Sequence, residues 1–533
     1  MKNIFKFHSE GLKTLIVPIL ILSMVISSCE KNIDLQPFNQ VSETAAFKTP
    51  ELIALTVTGM YQAAQLGYYD AAYRGYPFGA AFVEQGDNRG EDVVNTATFY
   101  QLTYTATYST TSANNVNYWK DSYRLLNRCN IVIDGVQAAA KANVISSTLA
   151  NQYEGEARLL RAMTYHELLI HFARPYKETT AGTHQGVPFF DKPFTTQQAI
   201  DEGMATGRST VAAVYAKIIA DLDFAETNLP LKAALTGNAK ITRATKGAAV
   251  AEKTRVYLHM LDIDKVISEG TKFTSGALAG TYSLTTDPSG PFTNPYGNTE
   301  SIFGMENSAT NNPGVNASLA SMYGATSIGG RALVCMSPII WRNPSWLSDD
   351  KRRTDVAMTL KSSTGVVFTN KYKDPVNKTD PSPMIRYAEV LLNLAEAYAR
   401  KGDVTNGLLY LNMVRNRSLA APATQAYTAA SFKDNVELLG AILTERRIEF
   451  VMEGRRWPDI HRLQKDQYFP INGIPAKMAN ALPKGTDFAL GTPYTGTLGT
   501  PAIPYTDFRF LWPIPQDEIN ANATLKEQQN PGW

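Results

Sequence analysis

Arg386-Tyr387-Ala388-Glu389-Val390-Leu391-Leu392-Asn393-Leu394-Ala395-Glu396-Ala397-Tyr398 is the stretch that decides the fold. Tyr387, Leu391, Leu394 and Tyr398 stand at steps of four, three and four, the spacing of one helix face. Gly402-Asp403 breaks the pattern, and Val404, Leu408, Leu411 and Val414 resume it as a second stripe. Two amphipathic helices joined by so short a loop pack antiparallel. The pair spans about one tetratricopeptide unit, roughly 34 residues. No strict repeat recurs, so the stretch predicts helix-pair character rather than a uniform array.

Working outward, residues 116–136, 151–172, 209–229 and 242–261 carry apolar residues at three- and four-residue spacing and predict further helices. Thr49-Pro50-Glu51 opens another, with Pro at an early position, and Leu229-Pro230 ends one, because Pro cannot continue a helix. Strand signal is confined to residues 301–305 and 364–369. Residues 261–386 and 468–505 are dominated by Gly, Pro, Ser, Thr and Asn. Loops that long inside a compact protein are uncommon and usually functional. The expected fold is mainly α, with tetratricopeptide-like helix pairs, a loop-rich second region and minor β structure.

Composition supports a large folded body. Of 533 residues, 44% are apolar and 19% charged, enough for a sizeable core and against disorder. The 51 basic and 49 acidic side chains nearly cancel, and no basic tract points to nucleic acid. At the N-terminus, Lys2, Lys6 and Lys13 precede thirteen mostly apolar residues, 14–26, and then Ser27-Ser28-Cys29. An apolar run of that length falls short of the ~20 residues that span a bilayer and suits a signal peptide cut after small residues. Residues 1–28 read as a lipoprotein signal, Cys29 as the acylated residue, and 29–41 as a polar tether. One acyl chain anchors marginally and two or more hold stably. Cys129 and Cys335 are expected as buried free thiols, Cys129 because it sits in an apolar helical stretch.

Three segments carry a family resemblance. The first is the opening stretch, 386–392 with Ala395-Glu396-Ala397. The second is Glu445-Arg446-Arg447-Ile448-Glu449-Phe450 with Glu453-Gly454-Arg455-Arg456-Trp457 and Asp459. The third is Trp512-Pro513-Ile514-Pro515, Glu518-Ile519 and Gln529-Asn530-Pro531-Gly532-Trp533. With Glu156-Ala157-Arg158, Leu160-Arg161-Ala162, Tyr165 and Arg208-Ser209-Thr210-Val211 in the N-terminal half, the chain resembles the SusD/RagB family of Bacteroidetes outer-membrane lipoproteins. The resemblance implies an N-terminal helical region over 42–240 and a C-terminal region over 241–533. It implies a cell-surface nutrient-binding protein, usually for glycans, held on the outer membrane by its lipid. Such a protein acts as capture subunit and lid of a SusC-like TonB-dependent transporter. No catalytic residue, cofactor or metal is expected. The charged signature 445–459 is expected to form an ion-pair network on and just after one helix, since a buried charge needs its partner.

Catalytic and metal patterns are weak. His166 and His171 nearly spell a zinc-protease motif but stand five apart, which turns the second by about 140° from the first. Aromatic density is stronger. Residues 68–119 hold 12 aromatics in 52 positions, over twice the chain's 10%, with polar residues between them. Rings meet the C–H faces of sugars, and polar groups read the hydroxyls. This stretch, expected as a loop, nominates Tyr68, Tyr69, Asp87, Arg89, Tyr100, Tyr104 and Tyr108 as ligand contacts. The second loop region adds Tyr296 and Trp346, while Trp341, Tyr118, Trp119 and Tyr123 read as core. Few charges in these loops point to a neutral or weakly charged ligand, with Arg74, Arg89 and Arg342 as the groups to consider for an anionic one. An oligopeptide-binding member of the family, or a helical-repeat protein scaffold, are the competing functions. A peptide site would offer a strand edge, and a scaffold would have no aromatic-lined site.

Overall fold

A computed structural model describes residues 43–67 and 73–533. Counting helices of seven residues or more, these are α1 (Pro50–Leu66), α2 (Ala80–Asn88), α3 (Ala113–Lys141), α4 (Ser147–Phe172), α5 (Gln197–Ala205), α6 (Val211–Asn228), α7 (Lys246–Met260), α8 (Ile263–Thr274), α9 (Tyr387–Arg400), α10 (Val404–Asn416), α11 (Asn435–Glu449) and α12 (Arg456–Arg462). The strands are β1 (Val93–Asn95), β2 (Ser301–Met305), β3 (Val334–Met336), β4 (Thr359–Lys361), β5 (Val367–Thr369), β6 (Ser382–Arg386), β7 (Gly473–Ile474) and β8 (Ile503–Pro504). The fold is mainly α with minor β structure, as the periodicity predicts.

Most long helices start where a short polar side chain catches the free N–H groups of the first turn. Thr49, Ser146, Thr210, Thr245, Asp262, Asp403 and Asp434 each accept a backbone N–H from the first turn of the helix they precede. Those caps move two expected starts: α6 begins after Thr210, and α7 after Thr245, Thr242 belonging to the separate turn Ala239–Thr242. One helix, α8, falls inside the stretch expected as loop, two residues after α7.

The helices stack in antiparallel pairs: α3 on α4, α4 on α6, α7 on α8, α9 on α10, with α11 closing against α9. In the α9–α10 pair, Leu391 and Leu411 are fully buried and Tyr398 stacks on Tyr410 at 5.7 Å. Gly407 lets the helices touch, since a Cβ there would press on Ala395 O and Ala399 N at 3.3 Å.

Four two-stranded antiparallel sheets are present among the described residues. One of them joins distant parts of the chain: β1 pairs with β3, Val94 opposite Cys335. Cys335 and Cys129 are both buried and unpaired, as expected. One continuous core takes residues from α1 through the C-terminal segment.

The signature charges form a buried network. Arg386 reaches Glu300 at 2.5 Å, Glu449 at 3.0 Å and Glu453 at 2.9 Å. Arg352 bridges Asp350, Glu445 and Glu449 at 2.6 to 3.0 Å, and Arg462 ties Glu396 to Asp459. Burial alone would raise the Glu449 carboxyl, but Arg417, Arg386 and Arg352 hold it far below the usual carboxylate range. The charges are spread further than one helix end: Arg456 and Asp459 lie on a second helix, α12. Gly454, at φ +75°, packs its backbone on that of Gly86 in α2, where neither position has room for a Cβ.

Candidate functional site

Residues 68–119 are not one loop. After the segment 68–72, which lies outside the described residues, the chain forms α2, β1 and the turn Gln101–Tyr104. Every residue of α2 is buried despite the sequence Ala80-Ala81-Phe82-Val83-Glu84-Gln85-Gly86-Asp87-Asn88. The signature fixes this helix and the strand after it. Gly454 N–H donates to Asp87 Oδ1 at 3.0 Å, Arg456 reaches Glu91 at 2.6 Å, and Arg447 pairs with Asp92.

That anchoring sets up one surface. At the end of β1, Thr96 N–H donates to Leu333 O at 2.9 Å, and the Thr96 hydroxyl donates to Ala332 O at 2.8 Å. The chain leaving β1 therefore runs beside the chain entering β3. Phe99, half-buried, meets exposed Arg331 there, with 5.6 Å from guanidinium carbon to ring centroid. Arg74 arrives from a third segment at the same 5.6 Å distance. Its carbonyl accepts from Ala81 N–H at 3.1 Å, tying it to the start of α2. Arg331 is held by Ser321, whose carbonyl accepts its backbone N–H at 2.8 Å, and by Asn316 Oδ1, which accepts from Nη1 at 2.6 Å. Tyr73, 38% exposed, precedes Arg74. Rings and guanidiniums at such distances attract one another.

The floor under Phe99 is polar and buried. Tyr100 packs edge-on at 4.9 Å and is fully buried. Burial pushes the Glu84 carboxyl well above the usual carboxylate range, with Tyr100, Asp87 and Arg331 as neighbours. Burial likewise pushes Asp87 up to about 7, against the hydrogen bonds from Tyr323 and Gly454 and the charge of Lys371.

Most residues nominated from sequence are interior, and this corrects those expectations. Tyr100, Tyr104 and Tyr108 are buried, Tyr104 donating to Met478 O at 2.9 Å and Tyr108 to Arg509 O. Asp87 accepts from Tyr323 at 2.6 Å inside the core. Arg89 lies 3.4 Å over the Trp457 ring and donates to Nδ1 of His171, a histidine that burial keeps neutral. Trp346 is buried edge-on against Trp341, with Arg353 over both rings. A buried ring has no face to give a ligand. Tyr296 is half-buried, and its hydroxyl is committed to Asn307 and Thr379. Tyr68, Tyr69 and Cys29 lie outside the described residues. Trp341, Tyr118 and Trp119 are core, as read from sequence. His166 faces Glu252 at 3.2 Å, whereas His171 stacks on Trp512. Phe99, Tyr73 and Arg331 were missed; aromatic density marked the region of the first two, but nothing in sequence joins Arg331 to them.

A second surface feature is a groove of about 1180 Å³ between α1, α3, α5 and residues 518–525. Its walls include exposed Leu55, Ile200 and Met204, with Arg124 and Arg128 among the lining residues. Its lining mixes those apolar side chains with polar ones, Gln62, Asn127 and Asn522 among them. Tyr73 lines it, so the two features adjoin.

Comparison with known proteins decides the family. Residues 341–533 match the SusD family, and residues 31–258 match a second pattern described as starch-binding associating with outer membrane. The chain belongs to the SusD/RagB family. This SusD-like chain is 24% identical over 516 residues to the SusD-like protein P38 of Formosa agariphila, covering 86% of this chain and 92% of that one. A SusD superfamily crystal structure from Bacteroides fragilis superposes with a TM-score of 0.72 at 27% identity, covering 90% and 99% of the two chains. The surface glycan-binding protein A of Bacteroides uniformis shares the fold at TM-score 0.65 and 20% identity, covering 90% and 99%. Among the described residues no helix is long and apolar enough to cross a membrane.

Proposed function

We propose that this SusD-like chain captures a glycan at the cell surface, through the Arg74–Phe99–Arg331 surface, and delivers it to a SusC-like TonB-dependent transporter. Cys29 carries the lipid that holds it on the outer membrane, and the role is binding rather than catalysis. The observation that carries the site is the convergence of three separate segments on one half-exposed ring flanked by guanidiniums, fixed by the β1–β3 sheet. Rings and planar donors are what sugar faces and hydroxyls require. The oligopeptide reading is less favoured here, because β1 and β3, the strands beside the ring, are buried along their whole length and offer no exposed edge to an incoming strand. A glycan array probed with the wild type and Phe99→Ala tests the proposal. Retention of oligosaccharides by the wild type and its loss in the variant support it; retention of peptides alone contradicts it. Transporter partnership is tested separately, by recovery of a large β-barrel protein with the tagged chain from solubilised membranes.

A further inference from the structure

We infer that the groove between α1, α3 and α5 seats a segment of this same chain, the tether 30–42, which lies outside the described residues. The inference does not depend on the glycan-capture reading. The groove's walls are those of an interface. Ile200 and Met204 stand one turn apart on α5, line the groove and are 41% and 47% exposed. No residue of α5 is buried. A helix of nine residues is too short to hold by itself in water, so its apolar face needs a partner. Leu55 of α1 lines the same groove at 63% exposure. One turn further, at Gly59, a Cβ would meet no atom within 4 Å. Glycine inside a helix is destabilising against alanine, and a bare backbone is of use where another segment lies close against it.

The ends of the groove say which segment fits. α1 and α3 run antiparallel: the Phe47 ring packs on Gly135 at one end, and Gly67 lies against Asp121 at the other. The turn Glu43–Ala46 leads into α1, and Ala46 lines the groove at the first end, its carbonyl accepting from the Thr56 hydroxyl at 3.4 Å. The chain before Glu43 therefore departs from the mouth of the groove. Thirteen extended residues reach about 43 Å, whereas the groove follows α1 from Leu52 to Leu66, about 21 Å of helix. The composition of the segment matches as well. Ile33, Leu35, Phe38 and Val41 are spaced by Asp34, Gln36, Asn39 and Gln40, and Pro37 favours extended chain. Apolar anchors at intervals suit the apolar walls, and Gln62 and Asn127 line the groove as partners for the segment's backbone. In sequence the tether reads as polar because its four apolar residues form no single stripe; the groove gives those four a place. A seated tether leaves little chain between Cys29 and the body, which fixes how the body stands on the membrane instead of letting it swing on a flexible linker.

The test is limited chymotrypsin digestion of the full-length chain, purified from membranes in mild detergent, with cleavage after Leu35 and Phe38 followed by mass spectrometry. A protease needs its target segment free of the body, so cleavage tracks the released fraction. The wild type should be cut at these two bonds roughly ten- to hundredfold more slowly than Gly59→Leu, which fills the groove, and Ile200→Asp, which charges its wall. Gly59→Leu places a good helix former where there is room for it, and thermal melts check that the body is intact; Ile200→Asp, at an exposed position, carries the test if it is not. Equal cleavage in wild type and both variants, fast or slow, overturns the inference. Light scattering over a dilution series accompanies the digestion. Protection that disappears on dilution together with a dimer means that the groove takes a second copy of the chain, which also overturns it.

Discussion

Phe99 and Tyr100 are neighbours with opposite fates. Tyr100 lies in the interior over Glu84, and Phe99 sits half-exposed between Arg74 and Arg331. Phe99→Ala should weaken glycan binding by about 1–3 kcal/mol, the usual range for an anchor at an interface, with the circular dichroism spectrum unchanged. Trp346→Ala should instead cost about 3–5 kcal/mol of stability in denaturant melts, the range for a buried tryptophan, with affinity preserved in the folded fraction. A second residue-scale effect comes from Asp87, which burial pushes up to about 7. Its unfolded value is about 3.9, so the folded chain holds the extra proton between those limits, and the contribution to stability falls as pH rises through that window. Asp87→Asn keeps an acceptor for Gly454 N–H and removes the charge. Relative to wild type, the melting temperature of the variant should rise between pH 5 and pH 8; a constant difference would show that Asp87 does not titrate there. Aromatic density in the sequence located this neighbourhood but could not rank its rings. Facing is set by what packs beneath, and residues 96–104 follow no single period that would betray it.

At the scale of elements, the stripes of α9 and α10 were readable because a helix packed on one side must repeat its apolar residues every three or four positions. Leu391→Ala or Leu411→Ala should each cost about 2–5 kcal/mol in denaturant melts, and a loss near zero would mean the pair does not pack as described. The same logic hid α2. That helix is buried on every side, so it shows no amphipathic stripe, and Glu84, Gln85, Asp87 and Asn88 make it read as polar loop. Its partners are distant: Tyr323 for Asp87, Arg456 for the following Glu91 and the Gly454 backbone for Gly86. The charged signature was legible as a network because Glu and Arg so dense beside apolar residues must pair. Its role in fixing α2 and β1, and hence the Phe99 surface, was not, since Asp87, Glu91 and Asp92 precede it by hundreds of residues.

For the whole molecule, the buried ion pairs set the response to acid. Burial alone would raise the Glu389 and Glu396 carboxyls, but Arg255 and Arg462 respectively override it and hold each at about 2. An unfolded glutamate titrates near 4.3, so these pairs stabilise the fold above that value and lose their effect as pH falls from about 4.5 toward 2. The melting temperature should drop steeply across that interval; a flat profile would mean the pairs contribute little. Attachment is a property of the chain as a whole too. Cys29→Ala should move the protein from membranes into the soluble fraction, and persistence in membranes after a high-salt wash would refute lipid anchoring through Cys29. The ligand's place on the molecule is the central claim, and two adjoining surfaces compete for it, the Phe99 surface and the groove between α1 and α3. A crystal structure with the best glycan from the array tests it most directly. The account predicts a sugar ring in van der Waals contact with Phe99 and an oxygen within hydrogen-bonding distance of the Arg331 guanidinium. Density for the glycan in the groove beside Leu55 and Ile200, with the Phe99 surface empty, would contradict it.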